Sequence, residues 1–379
     1  MESIKKANVS GKKVIVRVDF NVPIENGKIV DDTRIVSSLK TIKYLLDHNA
    51  KVILLSHLGR IKTKEDKEKY SLEIVAKHLS TLVNAPVYFV PVTRGDILEK
   101  TIENLEPSEI VLVENTRFED YPKSLESSCD EALSKYWASL GDIFVFDAFG
   151  SSHRCHASTY GISKYLKSYA GFLVEEEVTM LNKAIHQRKT MILGGGKVDD
   201  KIDVINNLIN TCDKLLLGGA MCFTFLKAKG YSVGKNEVVE DKLEYAKNLL
   251  ETNGKKIILP VDFVSEHGVV EVENISDDDI LYDIGPKTIS KYKEAIFDSN
   301  LVLWNGPLGK YEDERFAEGT KSLMTYLNKQ SIVTILAGGD IVACAKKLGA
   351  KFTFVSTGGG ATLEYLEGKR FKTLERLQG

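Results

Sequence analysis

Short runs of apolar, β-branched residues recur along this chain, separated by longer stretches whose apolar positions return every three or four residues. The runs predict strands over 14–20, 52–56, 87–90, 110–114 and 143–147. A second set follows over 191–193, 215–217, 257–261, 301–304, 333–336 and 352–355. Helical periodicity lies between most of them, for instance over 71–82, 130–140 and 241–250. Strands alternating with amphipathic stretches are the pattern of parallel sheets with crossover helices. Between the two sets, Leu173, Val174, Val178, Leu181 and Ile185 fall near helical spacing and predict an amphipathic connecting helix. A domain boundary is expected there, with 1–169 on one side and 170 onward on the other. A length of 379 residues, more than twice that of a usual domain, agrees.

Composition narrows the setting. Cys129, Cys155, Cys212, Cys222 and Cys344 are scattered and odd in number, which favours a reducing compartment over a disulfide or zinc framework. The amino-terminal stretch has no apolar targeting core and no run approaches membrane-spanning length, so a cytoplasmic protein without membrane contact is expected. A net charge of −2 provides no basic field for nucleic acid. An anion site must then be built from a few placed cations.

Those cations have a pattern. Nearly every predicted strand runs into a chemically distinctive loop: RVDFN, SHLGR, ENTRF and DAFGSSHR in the first half, then LGGGK, LGGAM, WNGPLG, AGGD and STGGG. Ligands of open α/β sheets sit at the carboxyl ends of strands. Two sites are therefore expected, one per domain. Arg34, Arg60, Arg117 and Arg154 follow strands or open helices, with His57 and His153 beside two of them. Guanidinium forks match phosphate and carboxylate oxygens, so four converging arginines suit a small polyanion. Asp19 and Asn21 suit a hydroxyl on it. Any one of these arginines has an ordinary surface or ion-paired reading; four at equivalent strand ends are harder to explain so. Arg17, inside a strand, reads as structural.

In the second half, Gly194–Gly196 precede Lys197 and Lys201, spaced i, i+4 across a helix start, which suits phosphate. The stretch is not a Walker A loop, because Met191 and Val198 occupy its required Gly and Ser/Thr positions. Asp340 is either a helix N-cap or a magnesium ligand. Glu312, in the WNGPLGKYE stretch, suits a ribose hydroxyl.

Taken together, RVDFNVP, SHLGR, ENTRF, DAFGSSHRCHAST, LGGGKVDDK, GGAM, DIGPKT, WNGPLG, GGD and STGGGATLE resemble phosphoglycerate kinase in order and spacing over essentially the whole chain. The resemblance implies an α/β fold of two Rossmann-like domains, each a parallel sheet flanked by helices, facing across a hinge-bending cleft. It implies a phosphoglycerate-binding domain over 1–169 and a nucleotide-binding domain over 170–362. The tail, 363–379, would pack back on the first domain. The implied activity is phosphoryl transfer between 1,3-bisphosphoglycerate and ADP, giving 3-phosphoglycerate and ATP, with Mg2+, in a cytoplasmic glycolytic monomer. Asp19, Asn21, Arg34, His57, Arg60, Arg117 and Arg154 would hold the glycerate ligand. Arg34, Lys197, Gly338 and Gly360 would act on the transferring group. Lys197, Lys201, Asn305, Gly339, Gly358 and Gly359 would meet nucleotide phosphates, and Gly219, Pro307 and Leu308 would line the adenosine pocket. Glu312 would reach the ribose and Asp340 the magnesium.

The chain departs from the family's usual residues at a few positions. Ile341 stands where threonine is usual, Gly196 and Asp199 where alanine and serine are, and Ile61 where proline is. Lys310 and Tyr311 replace Val-Phe beside the adenosine pocket. The expectation is altered nucleotide affinity, with Asp199 adding negative charge near phosphate unless it points away.

Overall fold

The apolar runs become parallel ladders closed off from water on both faces. The computed structural model describes residues 1–196 and 199–378. They divide into two units: Met1–Val178 with the tail from Arg370, and Thr179–Lys369. The changeover falls within one continuous helix, Phe172–His186. Lys197 and Val198 lie outside the described residues.

In the first unit the strands are β1 (Lys13–Val18), the short hairpin β2 (Ile24–Glu25) and β3 (Lys28–Ile29), β4 (Lys51–Leu55), β5 (Val87–Val90), β6 (Ile110–Val113), β7 (Ile143–Asp147) and β8 (Ser168–Ala170). The sheet runs β5-β6-β4-β1-β7-β8, every pair parallel. Val14 sits opposite Val52 on one side and Ile143 on the other. Such doubly covered strands must be apolar throughout, and Val14, Ile15, Val16 and Val18 have no exposed surface. The helix Thr33–Asp47 lays Ile35, Thr41, Ile42 and Leu45 inward. Strand order reverses between β1 and β7, which opens a crevice at their carboxyl ends.

The tail completes this unit. Leu377 is fully buried, its carbonyl accepts from the Glu2 N–H at 2.7 Å, and the Arg376 guanidinium donates to the Ser163 carbonyl at 2.8 Å. Phe371 packs 6.3 Å from Phe149, ring centre to ring centre.

The second unit repeats the design. Its strands are β9 (Lys189–Leu193), β10 (Cys212–Leu217), β11 (Ile257–Ile258), β12 (Asp262–Ser265), β13 (Gly268–Glu271), β14 (Leu281–Ile284), β15 (Leu301–Asn305), β16 (Val333–Leu336) and β17 (Phe354–Val355). The main sheet is parallel, ordered β11-β10-β9-β15-β16-β17, and reverses between β9 and β15. The single strand expected over 257–261 stops at Ile258. Pro260 has no N–H to donate, and at Asp262 the chain enters a separate antiparallel sheet, β13-β12-β14. Asp262 anchors that sheet to the helix Pro286–Ile296 by accepting from the Lys287 and Thr288 N–H groups at 2.9 and 2.7 Å.

Candidate active site

At the reversal point of the first sheet, β1 delivers Asp19 and Asn21, β4 delivers His57 and Arg60, and β6 delivers Arg117. Arg154 follows β7, and Arg34 stands in the first turn of the helix Thr33–Asp47. That helix starts where the Asp31 carboxylate accepts from the Thr33 N–H at 2.9 Å. Arg34 Nη1 pairs with Asp19 Oδ2. Burial raises the Asp19 carboxyl, but Arg34, His57, Arg17 and the Asn21 N–H together hold it below the usual range. Asn21 Oδ1 accepts from the Gly59 N–H at 2.9 Å, tying the β1 loop to the SHLGR loop. Asn115 ties in ENTRF: its side chain accepts from Arg117 N–H at 3.1 Å and donates to the Leu58 and Tyr70 carbonyls at 2.7 and 2.9 Å.

Arg117 is largely buried, donates to the Gly59 carbonyl at 3.0 Å, and leaves its buried Nε without an acceptor among the described residues. Burial lowers its pKa, and the charges of Arg154 and Arg60 are near enough to add to that. Guanidinium stays protonated all the same. Among the described residues no carboxylate pairs with Arg60, Arg117 or Arg154. Only Arg117 of the three is buried, with Asp120 and Glu126 near enough to offset part of its charge; Arg60 and Arg154 stand exposed at the strand ends, open to an anion. His57 is buried, and desolvation drives its pKa well below the usual value despite Asp19, so its ring is neutral at physiological pH.

Sequence reasoning missed what lies behind this cluster. Arg17 is fully buried, donates from Nε to Ser158 Oγ at 2.8 Å, and reaches His57 Nδ1 from Nη2 at 3.0 Å. Glu126, also fully buried, accepts from the Ser158 N–H at 2.9 Å and from its hydroxyl. The charged residue inside an apolar strand was the available signal.

In the second unit the loops after β9 and β15 interlock. Gly195 N–H donates to the Pro307 carbonyl at 2.9 Å, and a methyl group at Gly194 would meet that carbonyl oxygen at 2.0 Å. Gly219 has φ +61°, and a Cβ there would lie 2.5 Å from the Gly195 nitrogen. Beside them opens a cleft of about 430 Å³ lined by Gly195, Gly219, Phe223, Pro307, Leu308, Glu312 and Asp340. A larger hollow of about 570 Å³ flanks β11, between Leu226, Leu250 and Lys291. It holds none of the residues singled out from the sequence, and the cleft at the carboxyl edge is the better site.

Asn305 is buried and donates to the Ala337 carbonyl, while its Oδ1 has no partner among the described residues. Gly338 is the N-cap of the helix Gly339–Lys347, so Asp340 lies in the first turn, exposed and making no capping bond. The N-cap reading of Asp340 therefore falls. Among the described residues no cluster of three His, Cys, Asp or Glu side chains could hold a metal unaided. One exposed carboxylate at the edge of this cleft does fit the way Mg2+ is usually held, with phosphates and water as its other ligands. Gly358 N–H already donates to Ser356 Oγ at 3.2 Å, whereas the Gly359 and Gly360 amides have no acceptor among the described residues. Lys201 is buried at the edge of the helix Ile202–Leu208. Asp199 lies 3.7 Å from the Lys242 ammonium, which Asp241 also approaches at 3.1 Å. Ile341 is fully buried, which explains an apolar residue there.

A family model described as phosphoglycerate kinase matches residues 4–369. The phosphoglycerate kinases of Lacticaseibacillus casei and Fusobacterium nucleatum are 50% and 49% identical to this chain, over 97% and 99% of it and 96% and 98% of theirs. The solved phosphoglycerate kinase of Coxiella burnetii superposes with a TM-score of 0.88 at 35% identity, over 99% of this chain and 98% of that one. The Pyrococcus horikoshii structure gives 0.85 at 30%, over 100% and 98%. Motifs, fold and near-complete coverage agree: the chain belongs to the phosphoglycerate kinase family.

Proposed function

We propose that this chain catalyses 1,3-bisphosphoglycerate + ADP ⇌ 3-phosphoglycerate + ATP, as a cytoplasmic monomer. The observation that carries the reading is the cluster of Arg60, Arg117 and Arg154 at one sheet edge, without carboxylate partners among the described residues. With Arg34, His57, Asp19 and Asn21 it would take the phosphoglycerate. The cleft of the second unit would take the nucleotide, with Gly219, Pro307 and Leu308 around adenosine, Glu312 at the ribose, and Lys201, Asn305, Gly339, Gly358 and Gly359 toward the phosphates. Arg34, Lys197, Gly338 and Gly360 would neutralise the transferring group. Mg2+, held by Asp340 together with the nucleotide, would supply charge neutralisation on the phosphate oxygens.

The acceptor in the ATP-consuming direction is a carboxylate, ionised at neutral pH, so no general base is required. Catalysis then rests on in-line positioning and on cations facing the charge of a loose transition state. Hinge closure would exclude water and protect ATP from hydrolysis. A coupled assay with 3-phosphoglycerate, ATP and Mg2+ tests the reading. Turnover is expected to need all three and to collapse in Arg34→Ala with the fold intact. Folded protein that binds ATP but turns nothing over would refute it.

A further inference from the structure

We propose that Arg17 is a positioning residue that fixes His57 as the neutral tautomer protonated on Nε2, so that His57 offers its ligand a single uncharged N–H. Arginine has donors only and keeps its proton. The 3.0 Å contact between Arg17 Nη2 and His57 Nδ1 therefore has one sense: the guanidinium donates and Nδ1 accepts through its lone pair. A neutral imidazole accepting at Nδ1 carries its proton on Nε2. Nε2 has no partner among the described residues and is not one of the buried unpartnered atoms, so it is open to a ligand.

Arg17 cannot swing away. Its Nε donates to Ser158 Oγ, Nη1 donates to the Val18 carbonyl, and Ser158 is held in turn by Glu126. The relay Glu126–Ser158–Arg17–His57 thus runs from the buried side of the sheet to the ligand edge. The charged groups facing His57 are Asp19, Arg17, Arg117 and Arg34; the three arginines oppose a second proton on the ring, as burial does. A site already crowded with guanidinium groups gains a hydrogen-bond donor there without gaining another charge. The tautomer stands on geometry alone; only its use toward a phosphoglycerate oxygen rests on the proposed reaction.

The test is 15N NMR of protein labelled at the histidine ring nitrogens, with His57 assigned from the His57→Gln variant. Between about pH 6 and pH 8, a range around the ordinary histidine pKa, His57 should keep a pyridine-like signal at Nδ1 and a pyrrole-like signal at Nε2. Arg17→Met should mix the tautomers and raise KM for 3-phosphoglycerate about two- to fivefold, the factor by which the Nε2-protonated population falls, with kcat less affected. Arg17→Lys, which keeps a donor, should retain the wild-type signature. A wild-type His57 protonated at Nδ1, or doubly protonated, overturns the proposal. So does folded Arg17→Met with unchanged ring signals or unchanged KM. If Arg17→Met does not fold, the wild-type and Arg17→Lys spectra decide. Wild-type protein without turnover would refute the proposed reaction and leave the tautomer result intact.

Discussion

Asp147 closes β7 with its carboxylate fully buried. Oδ1 accepts from the Leu173 N–H at 2.9 Å and the Val174 N–H at 3.4 Å, in the first turn of the helix Phe172–His186, while Oδ2 has no hydrogen-bond partner among the described residues. Burial outweighs these bonds and that of Thr41, and pushes the carboxyl up from 3.8 to about 7. The folded state therefore prefers the protonated acid more than the unfolded state does. The associated stability is full below the unfolded pKa and is lost as pH rises through about 7. A rise of this size corresponds to about 4 kcal/mol in all, of which about 3 is lost between about pH 5 and pH 8.

Asp147→Asn keeps an acceptor for the two N–H groups and has no charge to desolvate, so it should flatten that slope. The chain has two tryptophans, Trp137 in the first unit and Trp304 in the second, both fully buried. In a Trp304→Phe background, fluorescence then reports the first unit alone. Urea unfolding followed this way should show the Asp147→Asn protein gaining about 3 kcal/mol on the Asp147 protein from pH 5 to pH 8; His57 and His156, whose lowered pKa values make stability rise over the same range, are common to both and cancel in the comparison. Equal slopes with and without Asp147 would sink the reasoning, because the buried carboxyl would then not be the titrating group.

Three other outcomes follow from the cleft proposed to take the nucleotide. Gly219→Ala forces both a left-handed backbone and a clash with the Gly195 nitrogen, so ADP binding by calorimetry should fall sharply with a stability loss of about 1–3 kcal/mol. Gly196→Ala meets nothing within 4 Å and should bind ADP as before. Asp199→Ser should leave ADP affinity within a factor of about two, because the carboxylate it removes is exposed and screened by solvent; a tenfold gain would show that its charge does reach the phosphates.

Much of this was legible because buried parallel strands have to be written in uninterrupted apolar residues, as Val14–Val18 and Ile143–Phe146 are apart from Arg17. The arginine cluster was legible because its members occupy equivalent strand ends. The antiparallel sheet was not: β13 is mostly exposed, with Gly268, Val269 and Glu271 open to solvent, so no burial pattern marks it. Arg17 was read as structural because strand position alone does not reveal which neighbour a buried guanidinium meets. The miss at β13 comes from exposure, and the miss at Arg17 from contacts remote along the chain, at Glu126 and Ser158, which local pattern cannot encode.

The tail from Arg370 has a consequence for the order in which the protein is made. The first unit begins at the amino terminus, yet its Leu377 plug and the bond from the Glu2 N–H to the Leu377 carbonyl come after the entire second unit in sequence. On the ribosome the second unit has every residue it needs while the first still lacks its final segment. The half of the protein that is synthesised first is thus the half that is sealed last, and a chain stalled short of Leu377 would expose the unfinished surface to chaperones and proteases.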